Sequence, residues 1–210
     1  GYVTWVDSEL SYDPEWAEVQ GCNQKRIIAY RPPCLEDCFD TIIRDIKKYE
    51  DHFLPWINNK EWKPTEADKG RAIAAKYGSS VAQVKQYMTD NAPPHIIVWD
   101  SIAAAPARAE AEASGFDFSS GMAYRARINK LFTQRYQATV VGCTKVSLII
   151  INQVIANIGS YGGGFDVPGG NGLKHAKHLS IQVTKQGASH STETQTGFRS
   201  TDHCTFSITK

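Results

Sequence analysis

Val146-Ser147-Leu148-Ile149-Ile150-Ile151-Asn152-Gln153 is a run of β-branched and leucine residues closed by two amides. Such a run reads as a central strand buried on both faces, of the kind found in parallel sheets. Asn152 and Gln153 then fall beyond the carboxyl end of the strand, where open α/β sheets bind their ligands. A glycine-rich stretch follows, with Ile158-Gly159, Gly162-Gly163-Gly164 and Gly169-Gly170-Asn171-Gly172. That glycine density is too high for a regular element, and it gives a backbone that can order around a ligand at an entropic cost. A strand-end polar pair feeding a glycine loop predicts a binding site.

The chain on either side alternates strands with helices. Tyr2 to Asp7 reads as a strand. Asp13-Pro14-Glu15 then opens a helix, with an N-cap aspartate, a first-turn proline and an acid near the positive end of the dipole. Arg26 to Tyr30 is a short strand closed by Pro32-Pro33. From Leu35 to Asp51 the apolar residues Leu35, Phe39, Ile42, Ile43, Ile46 and Tyr49 recur at threes and fours, which predicts an amphipathic helix. His95 to Ser101 is a third strand. A helix from Gly121 to Ala138 carries Arg125, Arg127, Lys130 and Arg135. Strands at 179–184 and 204–209 enclose a polar turn region and look like an edge hairpin. The alternation predicts an α/β fold with a mostly parallel central sheet flanked by helices.

Residues 52–94 differ in character and read as a helical insertion. Trp56 and Trp62 look exposed, Thr65 caps a helix to Tyr77, Gly78 breaks it, and a second helix runs from Ser79 to Thr89. The spacing is similar to a helix-turn-helix. Any compact helical hairpin gives the same pattern, and simple packing is the plainer reading.

Bulk properties narrow the classes. The 210 residues suit one domain with a sizeable core. A net charge of +1 argues against a uniformly basic coat but leaves room for a local basic groove. No apolar run approaches the ~20 residues that span a bilayer, and no signal-peptide pattern is present. The five cysteines are scattered, which points to reduced thiols and a cytoplasmic protein. Cys34 and Cys38 could share a helix face, but His175, His178, His203 and Cys204 complete a zinc site only loosely.

The strand ends carry the chemistry. Asp7 with Glu9, Asp100 with Ser101, and Asn152 with Gln153 follow apolar strands. A strand ending in aspartate is what nucleotide hydrolases use to hold Mg²⁺, and a second carboxylate on a neighbouring strand can polarise the attacking water. Each signal alone is common among ordinary strand ends.

In this order and spacing the residues resemble the ATPase core of the RecA recombinase family, including its phage-encoded branch. Val6-Asp7-Ser8-Glu9 with Asp13-Pro14 resembles the segment bearing the catalytic glutamate. Ile97-Val98-Trp99-Asp100-Ser101-Ile102-Ala103-Ala104 resembles the Walker B strand, and Ala109-Glu110-Ala111-Glu112 through Gly121-Met122 the first DNA-binding loop. Ile151-Asn152-Gln153, Ile158-Gly159 and Gly169-Gly170-Asn171-Gly172-Leu173-Lys174 resemble the nucleotide-sensing amide, the second DNA-binding loop and its closing glycine pair. The resemblance covers roughly residues 2–51 and 95–210.

It implies a RecA-like core over residues 1–210, interrupted at 52–94, that uses ATP and Mg²⁺. Single- and double-stranded DNA and further copies of the chain in a helical filament would be its partners. Glu9 would activate water, Gln153 would couple the γ-phosphate to the loop, and Asp100 with Ser101 would organise Mg²⁺. Lys174 and Lys210 would reach a neighbour's triphosphate, with Lys185 nearby. DNA contacts would come from Arg108, Glu112, Phe116, Phe118, Gly159, Tyr161, Phe165, Gly169, Gly170 and Asn171, with Arg125, Arg127 and Lys130 flanking.

Three departures from the family pattern stand out. No G-x-x-x-x-G-K-[ST] occurs in the sequence, and in this family that loop precedes the Glu9 strand; either the chain is N-terminally truncated or nucleotide binding is lost. Ile155 and Asn157 stand where a basic residue is expected after the amide, and His175 replaces an interface aromatic. A RecA-fold helicase or motor shares the strand-end acids, and a non-hydrolysing RecA-like structural filament subunit fits the missing loop. The closing glycine pair after a long loop favours the recombinase.

Overall fold

The computed structural model describes the chain except residues 77, 79, 114–120, 141–144, 157–164, 168–169, 195–196 and 210. It divides into two units, Gly1–Gly172 and Leu173–Lys210.

In the first unit, β1 (Tyr2–Asp7), β2 (Ile27–Tyr30), β3 (His95–Asp100) and β4 (Val146–Ile150) form one all-parallel sheet in the order β2-β1-β3-β4. The fold is α/β, with a parallel sheet flanked by helices and consistent with a RecA-like core. The register places Asp7 beside Asp100, so the carboxyl ends of the two inner strands lie level.

One face of the sheet is covered by α2 (Leu35–Phe53) and α6 (Gly121–Val140). The α2 stripe of Leu35, Phe39, Ile42, Ile43, Ile46 and Tyr49 is buried as its spacing predicts. Phe39 stacks on Phe132 of α6 at 4.1 Å and meets the buried Trp99 edge-on at 5.2 Å. Each such side chain contributes about 2 kcal/mol by leaving water. At the start of α2, the Cys34 cap makes no side-chain bond to the helix, and Leu35 N–H instead donates to Pro106 O at 2.7 Å.

Two expectations are corrected. The run 146–150 is not a central strand buried on both faces: among the described residues β4 is the outer strand of its sheet, and Ile149 is 49% exposed. An apolar run reads alike for an inner strand and for an edge strand with one open face. The Ser/Thr-rich stretch near the end is not a turn region either. It belongs to two long antiparallel strands, β7 (Ser180–Thr194) and β8 (Gly197–Thr209), with a register shift between Gln186 and His190. Threonine and serine pair well across strands, so polarity alone does not mark a turn.

The insertion folds as two capped helices, α3 (Glu66–Ala74) and α4 (Val81–Asn91), each opened by a reciprocal capping box, Thr65 with Asp68 and Ser80 with Gln83. Ala72, Val84 and Met88 form its core. Trp56 and Trp62 are half-buried against that core rather than exposed, their rings 5.3 Å apart. No described helix is long and apolar enough to cross a membrane.

Three short helices and two short strands complete the chain: α1 (Pro14–Val19), α5 (Arg108–Ala111), α7 (Gly170–Ala176), β5 (Ile155–Ala156) and β6 (Phe165–Asp166). At the start of α7, a Cβ on Gly172 would lie 3.0 Å from Lys130 Cα, and Gly170 sits at φ +76. Those two glycines serve a close approach to α6 and a left-handed turn.

Candidate functional site

The carboxyl ends of β1, β3 and β4 bring together residues far apart in the sequence. Ser101 Oγ donates to Glu9 Oε1 at 2.5 Å, and Gln153 Nε2 lies 3.5 Å from the same oxygen. Residues 9, 101 and 153 therefore converge on one carboxylate. Ser101 is buried, whereas Glu9 and Gln153 are exposed. The Asp100–Ser101 peptide is cis.

The backbone holds this arrangement. Ser8 and Glu9 N–H both donate to Asp100 O, at 2.8 and 3.2 Å, which ties the end of β1 to the end of β3. Ser8 Oγ donates to Ser101 O at 2.7 Å and accepts from Trp99 Nε1 at 3.1 Å. Ile102 N–H donates to Ile151 O, and Ile151 N–H to Trp99 O, extending the join to the end of β4. Leu10 sits at φ +57, a left-handed conformation uncommon for a side-chain-bearing residue. The reversal there returns Ser11 and Tyr12 N–H to the Asp7 carboxylate, at 2.9 and 3.2 Å.

The three carboxylates have different surroundings. Asp7 is fully buried and satisfied by those two amides and by Arg31 Nε at 3.3 Å. It braces the loop. Asp100 receives only a 3.2 Å hydrogen bond from Ser11 Oγ. Burial pushes its carboxyl above the usual range, and the negative charges of Glu9 and Asp7 add to that against the Ser11 bond. Negative charge at Asp100 is thus incompletely compensated. Asp100, Ser101 and Ser11 offer oxygen donors suited to a hard cation such as Mg²⁺. No group of three or more His, Cys, Asp or Glu side chains able to hold a metal occurs among the described residues. That fits a cation held by one or two carboxylates plus substrate oxygens and water.

The region expected to lead into the first DNA loop is anchored on α2. Arg108 pairs with Asp37 at 2.6 Å, and its N–H donates to Glu36 Oε2 at 2.8 Å. Tyr124 donates to Glu36 Oε1 at 2.9 Å. Burial pushes the Glu36 carboxyl up, but these hydrogen bonds outweigh it and hold the carboxyl below the ordinary value. Arg125 donates to Ala105 O at 2.6 Å and lies 3.6 Å from Glu110. Glu112 is exposed at the end of α5. Reading the sequence missed Glu36 and Asp37; their signal was two acids in the first turn of a helix, which dipole complementarity already explains.

Other expected residues lie apart from this group. Gly170 is in α7, and Phe165 and Asn171 stand in β6 and α7 with their side chains outside the described set. Phe116, Phe118, Gly159, Tyr161, Gly169 and Lys210 lie outside the described residues. Lys174 is exposed and belongs to the second unit. Cys34 and Cys38 are buried thiols, and burial pushes Cys38 up to about 12. It is therefore not a thiolate ligand.

No protein-family model matches the chain. Among curated proteins, it is 32% identical over 121 residues to the protein RecA of Wolbachia pipientis subsp. Culex pipiens, a match covering 57% of this chain and 33% of that protein. It is 33% identical over 112 residues to the protein RecA of Desulforapulum autotrophicum, covering 53% and 31%. These similarities relate the chain to RecA, and the chain spans about a third of the length of the curated relatives it matches.

Proposed function

We propose that this chain is the hydrolytic and DNA-contacting part of a RecA-type recombinase, a DNA-dependent ATPase that forms a filament on single-stranded DNA and promotes homologous pairing and strand exchange. The observation that carries the reading is the convergence of Ser101 and Gln153 on Glu9. Three strand ends separated by 92 and 144 positions from Glu9 meet at one carboxylate, beside an undercompensated Asp100.

Glu9 is the exposed carboxylate and would accept the proton of the attacking water, with Ser101 fixing its orientation. Asp100, with the Ser101 and Ser11 hydroxyls, would hold Mg²⁺, which when bound neutralises developing charge on the transferring phosphoryl group. Gln153 would exchange its weak contact with Glu9 for a γ-phosphate oxygen. That exchange frees one lone pair of the base and reports the nucleotide state to the chain that follows. Lys174 and Lys210 would act on a neighbouring subunit's nucleotide, and the basic and aromatic residues of both loops would contact DNA. The phosphate cradle itself is not among these residues, since the sequence contains no G-x-x-x-x-G-K-[ST].

The test is ATP turnover by the protein carrying this chain, with and without single-stranded DNA, beside a Glu9→Gln variant. We expect DNA-stimulated turnover that falls at least ~100-fold in the variant, the size typical of losing a general base. DNA binding with no turnover in either protein would favour a filament subunit that does not hydrolyse ATP. Turnover unaffected by Glu9→Gln would sink the assignment of the base.

A further inference from the structure

Glu36 occupies an unusual position for a first-turn acid. One carboxylate oxygen accepts the Arg108 N–H at 2.8 Å, and the other accepts the Tyr124 hydroxyl at 2.9 Å. Arg108 opens α5 and Tyr124 lies in the first turn of α6, so a single carboxylate joins the two ends of the connection between those helices. Asp37, the next residue, takes the Arg108 guanidinium at 2.6 Å, and Leu35 N–H holds Pro106 O at 2.7 Å. Three consecutive residues of α2 thus bind one side of this connection, and Glu36 binds both.

We propose that Glu36 is a positioning residue for nucleic-acid binding: it staples Arg108 and Tyr124 to α2, so that the connection between α5 and α6 meets DNA with its two ends already fixed. This rests on the DNA-binding reading above for its consequence, though not for the staple itself. The physical basis is preorganisation. Groups ordered before binding spare the complex the entropy of ordering them, about 0.5–1.5 kcal/mol for each immobilised side chain. Arg108, being engaged by Asp37, acts first as part of the anchor.

The charge effect and the staple effect have opposite signs, which makes the proposal testable. Removing an acid near a DNA-binding surface strengthens binding if charge alone matters. Removing the staple weakens it. Affinity for a fluorescent oligo-dT strand is measured across a salt series for the protein and for Glu36→Ala, Tyr124→Phe, the double variant and Asp40→Asn. Asp40 lies one turn further along α2, exposed, 3.8 Å from Arg135, and controls for loss of the same charge. We expect Glu36→Ala to bind about tenfold more weakly, the equivalent of one or two side chains left to order. Its salt slope should be unchanged, because no phosphate contact is lost. Tyr124→Phe should weaken binding less and add nothing in the Glu36→Ala background. Asp40→Asn should bind as tightly as the unmodified protein or more so.

Hydrogen exchange of the peptide covering Arg108–Glu112 reads the staple without DNA, and Glu36→Ala should accelerate it at least tenfold, an opening shift of about 1.4 kcal/mol. Unchanged exchange, or binding by Glu36→Ala as tight as by Asp40→Asn, overturns the proposal. Faster exchange in a protein that shows no DNA affinity in any form leaves the staple standing and removes the DNA reading.

Discussion

The two ends of β1 and β3 treat polar groups in opposite ways. At the amino ends, Thr4 Oγ1 donates to Asp45 Oδ2 at 2.5 Å, and His95 Nε2 lies 2.8 Å from the same oxygen, all three residues being buried. At the carboxyl ends, Glu9 is exposed and Asp100 receives one long hydrogen bond. The first group fastens α2 to the sheet and is saturated. The second holds like charges close together and leaves them short of donors. Polar groups that are buried and satisfied serve the fold, and those left partly unsatisfied at an accessible strand end are available for chemistry.

The largest expected effect tests the saturated end. Asp45→Ala strands a buried imidazole and the Thr4 hydroxyl without their acceptor, and should destabilise the protein by about 3–5 kcal/mol. Glu9→Gln, at an exposed position, should change stability by no more than about 0.5 kcal/mol. Urea unfolding of the two variants decides. Equal losses would break the comparison, since both ends would then be structural.

The same pair sets the acid limb of stability. Burial pushes the Asp45 carboxyl up, but the hydrogen bonds from His95 and Thr4 outweigh it, so its folded value lies below the ordinary one. A depressed carboxylate contributes stability that is present above the unfolded value of about 3.9 and lost as pH falls through the folded value. Stability should therefore drop below about pH 4, and Asp45→Asn should flatten that limb. Circular dichroism during acid titration checks it; an identical limb in the variant would assign the loss elsewhere.

Asp100→Asn should move the other way, gaining about 0.5 kcal/mol at neutral pH once solvent screening is allowed for. Burial and the charges of Glu9 and Asp7 raise the Asp100 carboxyl, so its ionised form weakens the fold above the ordinary carboxylate range. A stability gain with loss of Mg²⁺-dependent activity would mark a functional strain. A stability loss would place Asp100 with Asp45 instead.

The sequence was most legible where periodicity and residue type agree. The α2 stripe, the three apolar strands and the acids at their ends followed from the 3.6 and strand patterns and from the α/β rule about strand ends. Convergence of Ser101 and Gln153 on Glu9 came only through resemblance, because spacing says nothing of which strands are neighbours. The edge position of β4 was hidden for the same reason. Asp45 had a signal that went unused: it lies between Ile42 and Tyr49, three and four residues from each, and so within the apolar stripe. An acid there predicts a buried partner, and only the parallel register of β1 with β3 shows that Thr4 and His95 supply it. Trp56 and Trp62 were misread as exposed because a small helical core can need large side chains from the preceding segment.

Glu50 sharpens the contrast at its smallest scale. It stands five residues beyond Asp45 on α2, and its side chain is as deeply buried. Yet Asn58 donates only to Oε2, at 3.2 Å, and Oε1 has no hydrogen-bond partner. Burial raises its carboxyl, helped by the charge of Asp51 and opposed by Asn58 and Lys47, so the direction is opposite to that of Asp45. For such a raised group, stability is fully present below the unfolded value of about 4.3 and declines as pH rises through the folded value. Glu50→Gln keeps an acceptor for Asn58 and removes the charge. It should gain about 0.5 kcal/mol at pH 8 and nothing at pH 4. A gain at both pH values would trace to packing, and a loss at pH 8 would mean that the ionised carboxylate holds the start of the insertion. Burial alone, then, does not fix the sign of a carboxylate's contribution; the number of donors aimed at it does.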